Sequence, residues 1–225
     1  MAVVSQPSDR GAKISAPGKV DHALGEFWVG NPWDIVNEGH NLSAFERKRV
    51  YMNVPVASAP SGVEWTRDFL DVSYLSGADS DGDGRCVIAG DLRNNGRLDV
   101  IVRQAGGGPL FIYENNFPQR HFLEVSLRGT KSNRLGIGAR LVATVNGQNL
   151  VREQFPLNSF RSQMPNIVHF GLGDVTKVDR LVIQWPSGAI QELTNLSADR
   201  HILVDEGKEG EEAVETVVPG NTLRP

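Results

Sequence analysis

Two short acidic loops contain the side chains that are best suited to bind a metal ion. The first loop places three carboxylates at alternate positions immediately before a glycine, in the order Asp79, Asp81, Asp83, Gly84. A Ca²⁺ ion takes six to eight oxygen ligands from a chain that turns sharply, and this spacing matches ligand positions 1, 3 and 5 with the turn glycine at 6. An EF-hand needs a bidentate Glu at position 12, which is Gly90 in this chain. The spacing therefore predicts a calcium loop that is not an EF-hand.

The second loop repeats the pattern in a weaker form. Asp91, Asn95 and Asp99 occupy positions 1, 5 and 9, but position 3 is Arg93, whose charge repels a cation. Asp, Asn and Gly also favour turns without any metal. Two interpretations stay open for this loop: a metal site, with Asp91 also able to complete the first site, or a pair of acidic turns.

Charge and composition limit the remaining classes of function. Across 225 residues, 23 Lys and Arg stand against 27 Asp and Glu, and no basic stripe appears that would bind nucleic acid. No apolar run approaches the length of a membrane span. The first residues lack the apolar core of a signal peptide, so either the protein is not exported or the chain begins downstream of its true start. The single cysteine, Cys86, excludes an internal disulfide.

Known catalytic motifs are missing from the sequence. It contains no G-x-S-x-G, no H-E-x-x-H and no cluster of Cys and His. The glycine pairs at Gly136 and Gly138 and at Gly171 and Gly173 lack the final glycine of a dinucleotide fingerprint. We interpret His169, within VHFGLG, as a hydrogen-bonded structural histidine, with a catalytic base as the alternative. The sequence predicts that the chain is not an enzyme.

The first half contains short strands joined by tight turns. Residues 1–26 are polar and aperiodic and are expected to form a disordered arm. Strands are predicted from alternation and turn residues at Arg49–Asn53, Phe69–Leu75, Cys86–Ala89, Leu98–Gln104 and Leu110–Glu114. Four such strands separated by Gly- and Asp-rich turns resemble one blade of a β-propeller.

The second half is also all-β, and hairpins connect its strands. In His121–Arg128, Phe122, Glu124 and Ser126 alternate with Leu123, Val125 and Leu127. Asn146-Gly147 is the strongest hairpin signal in the chain. Further strands are predicted at Ala139–Val145, Gln148–Phe155, Val168–Gly173, Val178–Trp185, Ala189–Leu193 and Arg200–Asp205. These features predict a compact sandwich or barrel-like domain followed by a flexible charged tail over 207–225.

Three stretches of the second half resemble a known family. HFLEVSLRGTKSNRLGIGARL, FRSQMPNIVHFGLG and VDRLVIQWPSGAIQEL, in this order, resemble the ASPIC/UnbV domain of cartilage acidic protein-like proteins. The preceding acidic stretch resembles the FG-GAP/VCBS repeats of such proteins. The resemblance implies a propeller-blade-like segment over 27–114 and a β-sandwich-like ASPIC/UnbV domain over 115–206.

The same resemblance implies calcium ligands and a location. Loops of the repeats bind Ca²⁺, and Asp91, Asn95 and Asp99 fall on the repeat's ligand positions, whereas Val87 takes the ninth place of the first loop, where an Asp is expected. Proteins of this kind are secreted or associated with the cell envelope, and they act through interactions.

A second group of candidate ligand-binding residues lies at turns and strand edges of the second half. Its members are Arg134, Arg140, Arg161 and Gln163. Arginine side chains of this kind bind carboxylates or carbonyl-rich loops with two hydrogen bonds, and they can do so either to support the fold or to hold a ligand.

The function expected from the sequence is a noncatalytic, calcium-stabilised interaction module of the adhesion type. It would bind a protein or a glycan outside the cell or at the cell envelope. Two alternatives stay open: an enzyme, or its accessory domain, that acts on polysaccharide through a pair of carboxylates, and a structural spacer.

Overall fold

The protein is nearly all-β. The structure, a computed structural model, describes residues 47–55, 67–82, 84–104, 109–157, 159–160 and 162–217. In these ranges thirteen strands form four sheets, none of them closed, and the remaining regular element is a 3-10 turn. No helix in the described ranges is long and apolar enough to cross a membrane. The expected all-β class is confirmed, whereas the arm expected over 1–26 lies outside the described residues.

The chain divides into two compact units. The first comprises Met1–Val87 and Val102–Tyr113, and the second comprises Ile88–Ile101 and Glu114–Pro225. One division of the chain lies between Tyr113 and Glu114. The segment Ile88–Ile101, which carries the second acidic loop, instead belongs with the second unit.

Two small sheets are built from the first five strands. β1 (Tyr51–Pro55) pairs with β2 (Arg67–Asp71) in an antiparallel hairpin. The three-stranded sheet has the order β3-β4-β5, and its strands are β3 (Gly84–Gly90), β4 (Asp99–Gln104) and β5 (Leu110–Tyr113). Strands β3 and β4 are each divided between the two units.

The second strand ends earlier than the alternation predicts. It stops at Asp71, because Asp71 Oδ1 accepts hydrogen bonds from the backbone N–H of Ser73 at 2.9 Å and from its hydroxyl at 2.5 Å. A side chain that bonds the backbone two residues ahead starts a turn. Tyr74 and Leu75, which were predicted to continue the strand, lie in this turn and are exposed.

Two four-stranded sheets form the second unit. Sheet I has the order β11-β10-β7-β8, and sheet II has the order β13-β12-β6-β9. All neighbours are antiparallel except β6 and β12, which run parallel. The strands are β6 (His121–Arg128), β7 (Arg140–Val145), β8 (Gln148–Glu153), β9 (Val168–Gly173), β10 (Lys177–Gln184), β11 (Ile190–Ser197), β12 (Arg200–Asp205) and β13 (Val214–Val217).

Both sheets contribute to a single hydrophobic core. Alternate residues of a strand point to one face, and the apolar alternate residues of β6 lie in this core. Burying each large apolar side chain contributes about 1.5–3 kcal/mol to stability. The fully buried members are Leu123, Val125, Phe170 and Ile202 from sheet II, and Leu141, Leu181 and Ile183 from sheet I. Side chains from both four-stranded sheets therefore share this core.

The hairpin predicted at Asn146-Gly147 is confirmed. These residues have φ angles of 47° and 75°, and they join β7 to β8 with Val145 paired to Gln148. Two consecutive positive φ angles suit an Asn-Gly turn whose twist matches the strands.

The chain after Glu206 is more ordered than a flexible tail over 207–225. A 3-10 turn at Gly210–Ala213 leads into β13, which pairs with β12 through Val204 and Val214. Ala213 is 1 % exposed and belongs to the core. An open strand edge favours pairing with further chain, and β12 offers such an edge. Residues 218–225 lie outside the described residues.

Candidate functional site

A row of polar side chains crosses the face of sheet II that points away from the core. Glu124 on β6 pairs in register with His169 on β9 and with His201 on β12. Residues paired on neighbouring strands point to the same face, so the Glu124 side chain lies between two histidines. Alternation along β6 places Phe122, Glu124 and Ser126 together on this face.

The segment Ile88–Leu98 packs over this outer face of sheet II. His169 Nε2 lies 2.9 Å from the carbonyl oxygen of Gly96, and the rings of His169 and Phe122 stack with centroids 6.0 Å apart. A Cβ added at Gly96 would lie 2.0 Å from Phe122 Cδ1, and Gly96 has a φ of +81°. Only glycine allows the covering loop to approach the sheet so closely. Glu124 is therefore buried, with 7 % of its surface exposed.

A cavity of about 240 Å³ opens beside this covered face. Glu124, Arg152 and His169 line its polar side. Its apolar side includes Leu98, Phe155 and Met164. Ligand sites are concave and mostly apolar with a few placed polar groups, and this cavity has that composition at small size.

The Glu124 side chain lines the cavity without a protein partner in the described ranges. There no group donates a hydrogen bond to its carboxyl, and no cationic side chain pairs with it. Burial, and secondarily the charge of Asp91, raise its pKa to about 7. At neutral pH the carboxyl is therefore divided between its neutral and its ionised form.

The two histidines beside Glu124 are held neutral by their surroundings. Burial lowers the pKa of His169, while the Gly96 carbonyl and Asp91 oppose that shift. Burial also lowers the pKa of His201, whose Nε2 lies 2.8 Å from the hydroxyl oxygen of Ser126. Ser126 is 6 % exposed, so this pair ties β6 to β12 and leaves no open nucleophile. His169 is hydrogen-bonded, as the sequence interpretation expected, to the Gly96 carbonyl.

Arg152 forms the wall of the cavity through contacts of its own. Its Nε donates to the carbonyl of His169 at 3.3 Å, and its Nη1 donates to the carbonyl of Val151 at 2.8 Å. The guanidinium carbon lies 5.7 Å from the centre of the Phe170 ring. These contacts fix the guanidinium against backbone and ring, in a cation–π arrangement.

The first acidic loop holds a lysine ammonium. Lys48 Nζ donates to the carbonyl of Ser80 at 3.1 Å and to that of Gly82 at 2.7 Å. Asp79 accepts a hydrogen bond from Arg47 Nη1 at 2.6 Å, and Asp81 is exposed. Asp83 lies outside the described residues. The oxygen donors suit calcium, but an ion there would displace the Lys48 ammonium from two carbonyls.

The second acidic loop holds a guanidinium. Arg93 Nη2 donates to Asp99 Oδ1 at 3.1 Å and to the carbonyl of Asn115 at 3.0 Å, and its Nη1 pairs with Glu114. The other two predicted ligands, Asp91 and Asn95, accept hydrogen bonds from backbone N–H groups.

These backbone contacts account for Asp91 and Asn95. Asp91 accepts from the N–H groups of Arg93 at 3.2 Å and Gly96 at 2.5 Å, and Asn95 accepts from that of Arg97 at 3.0 Å. The residues of this loop do not fit an ion while Arg93 stays in place. Among the described residues, no group of three or more His, Cys, Asp or Glu side chains could hold a metal ion.

The predicted arginine group is spread over loops and a strand end. Arg134 lies in the loop before β7, Arg140 begins β7, and Gln163 lies in the loop before β9; all three are exposed. None of these three described side chains lines the cavity. Arg161 lies outside the described residues.

The carboxylate of Glu206 fixes the loop between β6 and β7, a role that sequence reasoning missed. Its Oε2 accepts the N–H groups of Thr130, Lys131 and Ser132 at 2.7, 2.8 and 2.8 Å. Its Oε1 accepts the hydroxyls of Ser132 and Ser187 at 2.8 and 2.5 Å. Burial raises the pKa of Glu206, but these hydrogen bonds outweigh burial and lower it to about 2.

Sequence reasoning also missed Glu124, although one signal was present. Phe122 lies on the same side of β6 as Glu124, and an aromatic residue there indicates that another segment of the protein covers that side. The partner that covers it, Ile88–Leu98, is remote along the chain.

Comparison with known proteins gives one family match and no curated relative. No curated protein sequence matches the chain. Residues 129–211 match the family model described as ASPIC and UnbV. This range begins in the loop held by Glu206 and runs through β7–β12 into the 3-10 turn. The ASPIC/UnbV part of the resemblance is confirmed, and residues 129–211 are similar to the ASPIC and UnbV family.

Proposed function

We propose that this chain is a noncatalytic recognition module of the cell exterior or cell envelope. It binds a protein or glycan partner, and calcium stabilises it. The match of residues 129–211 to the ASPIC and UnbV family supports the assignment of class. The observation that carries recognition is the cavity lined by Glu124, because a carboxyl that no described residue hydrogen-bonds, beside open space, is a binding feature.

Calcium belongs to the first acidic loop in this proposal. The resemblance to FG-GAP/VCBS repeats supports it, as does the row of Asp79, Asp81 and Asp83 in the sequence. The loop already places the carbonyl oxygens of Ser80 and Gly82 around the Lys48 ammonium, and a calcium ion would take the place of that ammonium. The segment 27–114 is then a propeller-blade-like element, and further blades would have to come from a longer chain or a partner.

A second candidate function is cleavage of a glycosidic bond. It is favoured by the raised pKa of Glu124 next to the Asp91 carboxylate. Two carboxyl groups whose environments separate their pKa values form the usual acid and base or nucleophile of glycosidases. In that case Glu124 would donate the proton, and its loss would abolish turnover.

One experiment separates the two candidates. The full chain is applied to a glycan and peptide array with calcium and with EDTA, and the same preparation is assayed on a panel of glycosides. We expect saturable binding that Glu124→Gln weakens, and no turnover. Glu192→Gln, at an exposed position that pairs with Arg180, is the matched control and should bind like the wild type.

Turnover that is lost in a folded Glu124→Gln variant would overturn the noncatalytic proposal in favour of the glycosidase. Binding that survives Glu124→Gln unchanged would remove the cavity as its basis.

A further inference from the structure

We propose that the Glu124 cavity binds a primary ammonium group carried on a short aliphatic stem. The inference deepens the proposed function and rests on it, since it takes the cavity as a recognition site. It names the chemical group that the cavity selects, which neither the family match nor the sequence motifs supply.

The Glu124 carboxyl can accept hydrogen bonds that no described residue donates, so a ligand with N–H or O–H groups would fit it. Glu124 is 7 % exposed as a residue, its side chain lines the cavity, and in the described ranges its carboxyl receives no hydrogen bond. A buried acceptor without a partner costs free energy that a ligand N–H group would recover. Such a site favours a ligand with several donors in one small group, and an ammonium has three.

The charges around the cavity favour a cation over a neutral donor. The Asp91 carboxylate acts on Glu124 from the covering loop, and Glu153 on β8 also lines the cavity. Arg152, which lines the cavity, is engaged by two backbone carbonyls and the Phe170 ring. An ammonium would relieve the repulsion between Glu124 and Asp91, whereas an anion would add to it.

The walls of the cavity suit a methylene stem. Leu98, Phe155, Met164 and Ile167 line it, and its volume is about 240 Å³. A water molecule takes up about 30 Å³ of liquid, so this space is large enough for a short methylene stem and one ammonium.

Two sources could supply this group: a free alkylamine or a lysyl side chain of a partner. Calorimetric titration of the full chain, at a pH above the pKa of Glu124, compares three isosteric probes. These are n-butylammonium, 1-butanol and butyrate. A second arm compares two peptides whose N-termini are acetylated: one carries a lysine with a free side-chain ammonium, and the other carries norleucine in its place.

We expect n-butylammonium to bind saturably, 1-butanol roughly tenfold or more weakly, and butyrate not at all. Glu124→Gln should remove the preference for the ammonium, and Glu192→Gln should keep it. Amide resonances of His169 and Arg152 should shift with n-butylammonium in the wild type, which tests the location without any variant. A lysyl peptide that binds more tightly than n-butylammonium identifies a partner side chain as the source, and the reverse order identifies a free amine.

Equal affinities for n-butylammonium and 1-butanol, or ammonium binding that Glu124→Gln leaves intact, would overturn the proposal. So would the absence of binding by both n-butylammonium and the lysyl peptide. A glycan that binds on the array and is lost in Glu124→Gln, without any ammonium preference, would overturn this inference and leave the proposed function standing.

Discussion

Arg93 Nη2 lies 3.1 Å from Asp99 Oδ1, and Asp99 is 2 % exposed. The second acidic loop therefore contains its own cation. A buried carboxylate that loses its cationic partner keeps the cost of desolvation, so Arg93 should contribute to stability more than an exposed ion pair does.

Replacing Arg93 tests this relationship. We expect Arg93→Ala to lower the free energy of unfolding by about 1–3 kcal/mol, because Asp99 would lose its cationic partner and, among the described residues, keep the N–H of Asn115. Urea unfolding followed by circular dichroism measures the change. Arg120→Ala is the control, since Arg120 pairs with the exposed Asp174, and it should change stability by about 0.5 kcal/mol or less. Equal effects of the two variants would contradict the inferred role of Arg93.

Calcium should stabilise the first loop. With a Kd of about 0.1 mM and calcium at about 1–2 mM, linkage predicts roughly 1.5 kcal/mol of stabilisation. The melting temperature should rise by about 3–6 °C relative to EDTA in scanning calorimetry. Asp81→Ala should abolish the shift, and Lys48→Ala should enlarge it, because the ammonium competes for the carbonyls of Ser80 and Gly82. A wild type that melts identically in calcium and EDTA refutes calcium binding at this loop.

Glu124 should destabilise the fold at alkaline pH. Its pKa is raised from 4.5 to about 7, so the folded state holds the proton more tightly than the unfolded state does. Stability contributed by the protonated carboxyl is present below pH 4.5 and is lost as pH rises through 7. Glu124→Gln should therefore be more stable than the wild type above pH 7, by an amount on the order of a few kcal/mol. Urea unfolding at a series of pH values checks it, and a destabilised Gln variant at alkaline pH would show that the carboxylate has a stabilising partner.

Glu206 should have the opposite dependence on pH. Its pKa is lowered from 4.5 to about 2, so its contribution is present above pH 4.5 and is lost as pH falls towards 2. Glu206→Gln should cost about 2–4 kcal/mol at neutral pH, because a neutral amide cannot accept the same charge-assisted hydrogen bonds.

The measurement for Glu206 is the difference in unfolding free energy between wild type and variant as a function of pH. That difference should shrink on acidification below pH 4.5. Glu215→Gln, at an exposed strand position, serves as the control and should behave like the wild type at every pH. A difference that stays constant down to pH 2 would show that Glu206 acts through shape and not through its charge.

Alternation and turn chemistry determined most of the strands. Residues that alternate along β6 sort into the two faces of one strand whatever the rest of the chain does, and Asn146-Gly147 adopts a hairpin turn through its own backbone preferences. The same local rules failed where a side chain competed with the strand, as Asp71 does by starting a turn.

Local rules alone could not predict the candidate site. Sequence alternation groups Glu124 with Phe122 and Ser126 on one face of β6, but only the tertiary structure brings Ile88–Leu98 over that face and buries Glu124. In the same way, the acidic spacing predicted cation-binding loops, and long-range folding decided which cation each loop holds: Lys48 lies 32 residues from Ser80 along the chain, and Arg93 lies 22 from Asn115. Spacing along a chain fixes which groups are near neighbours in sequence, whereas burial and charge at a site depend on segments that only folding brings together.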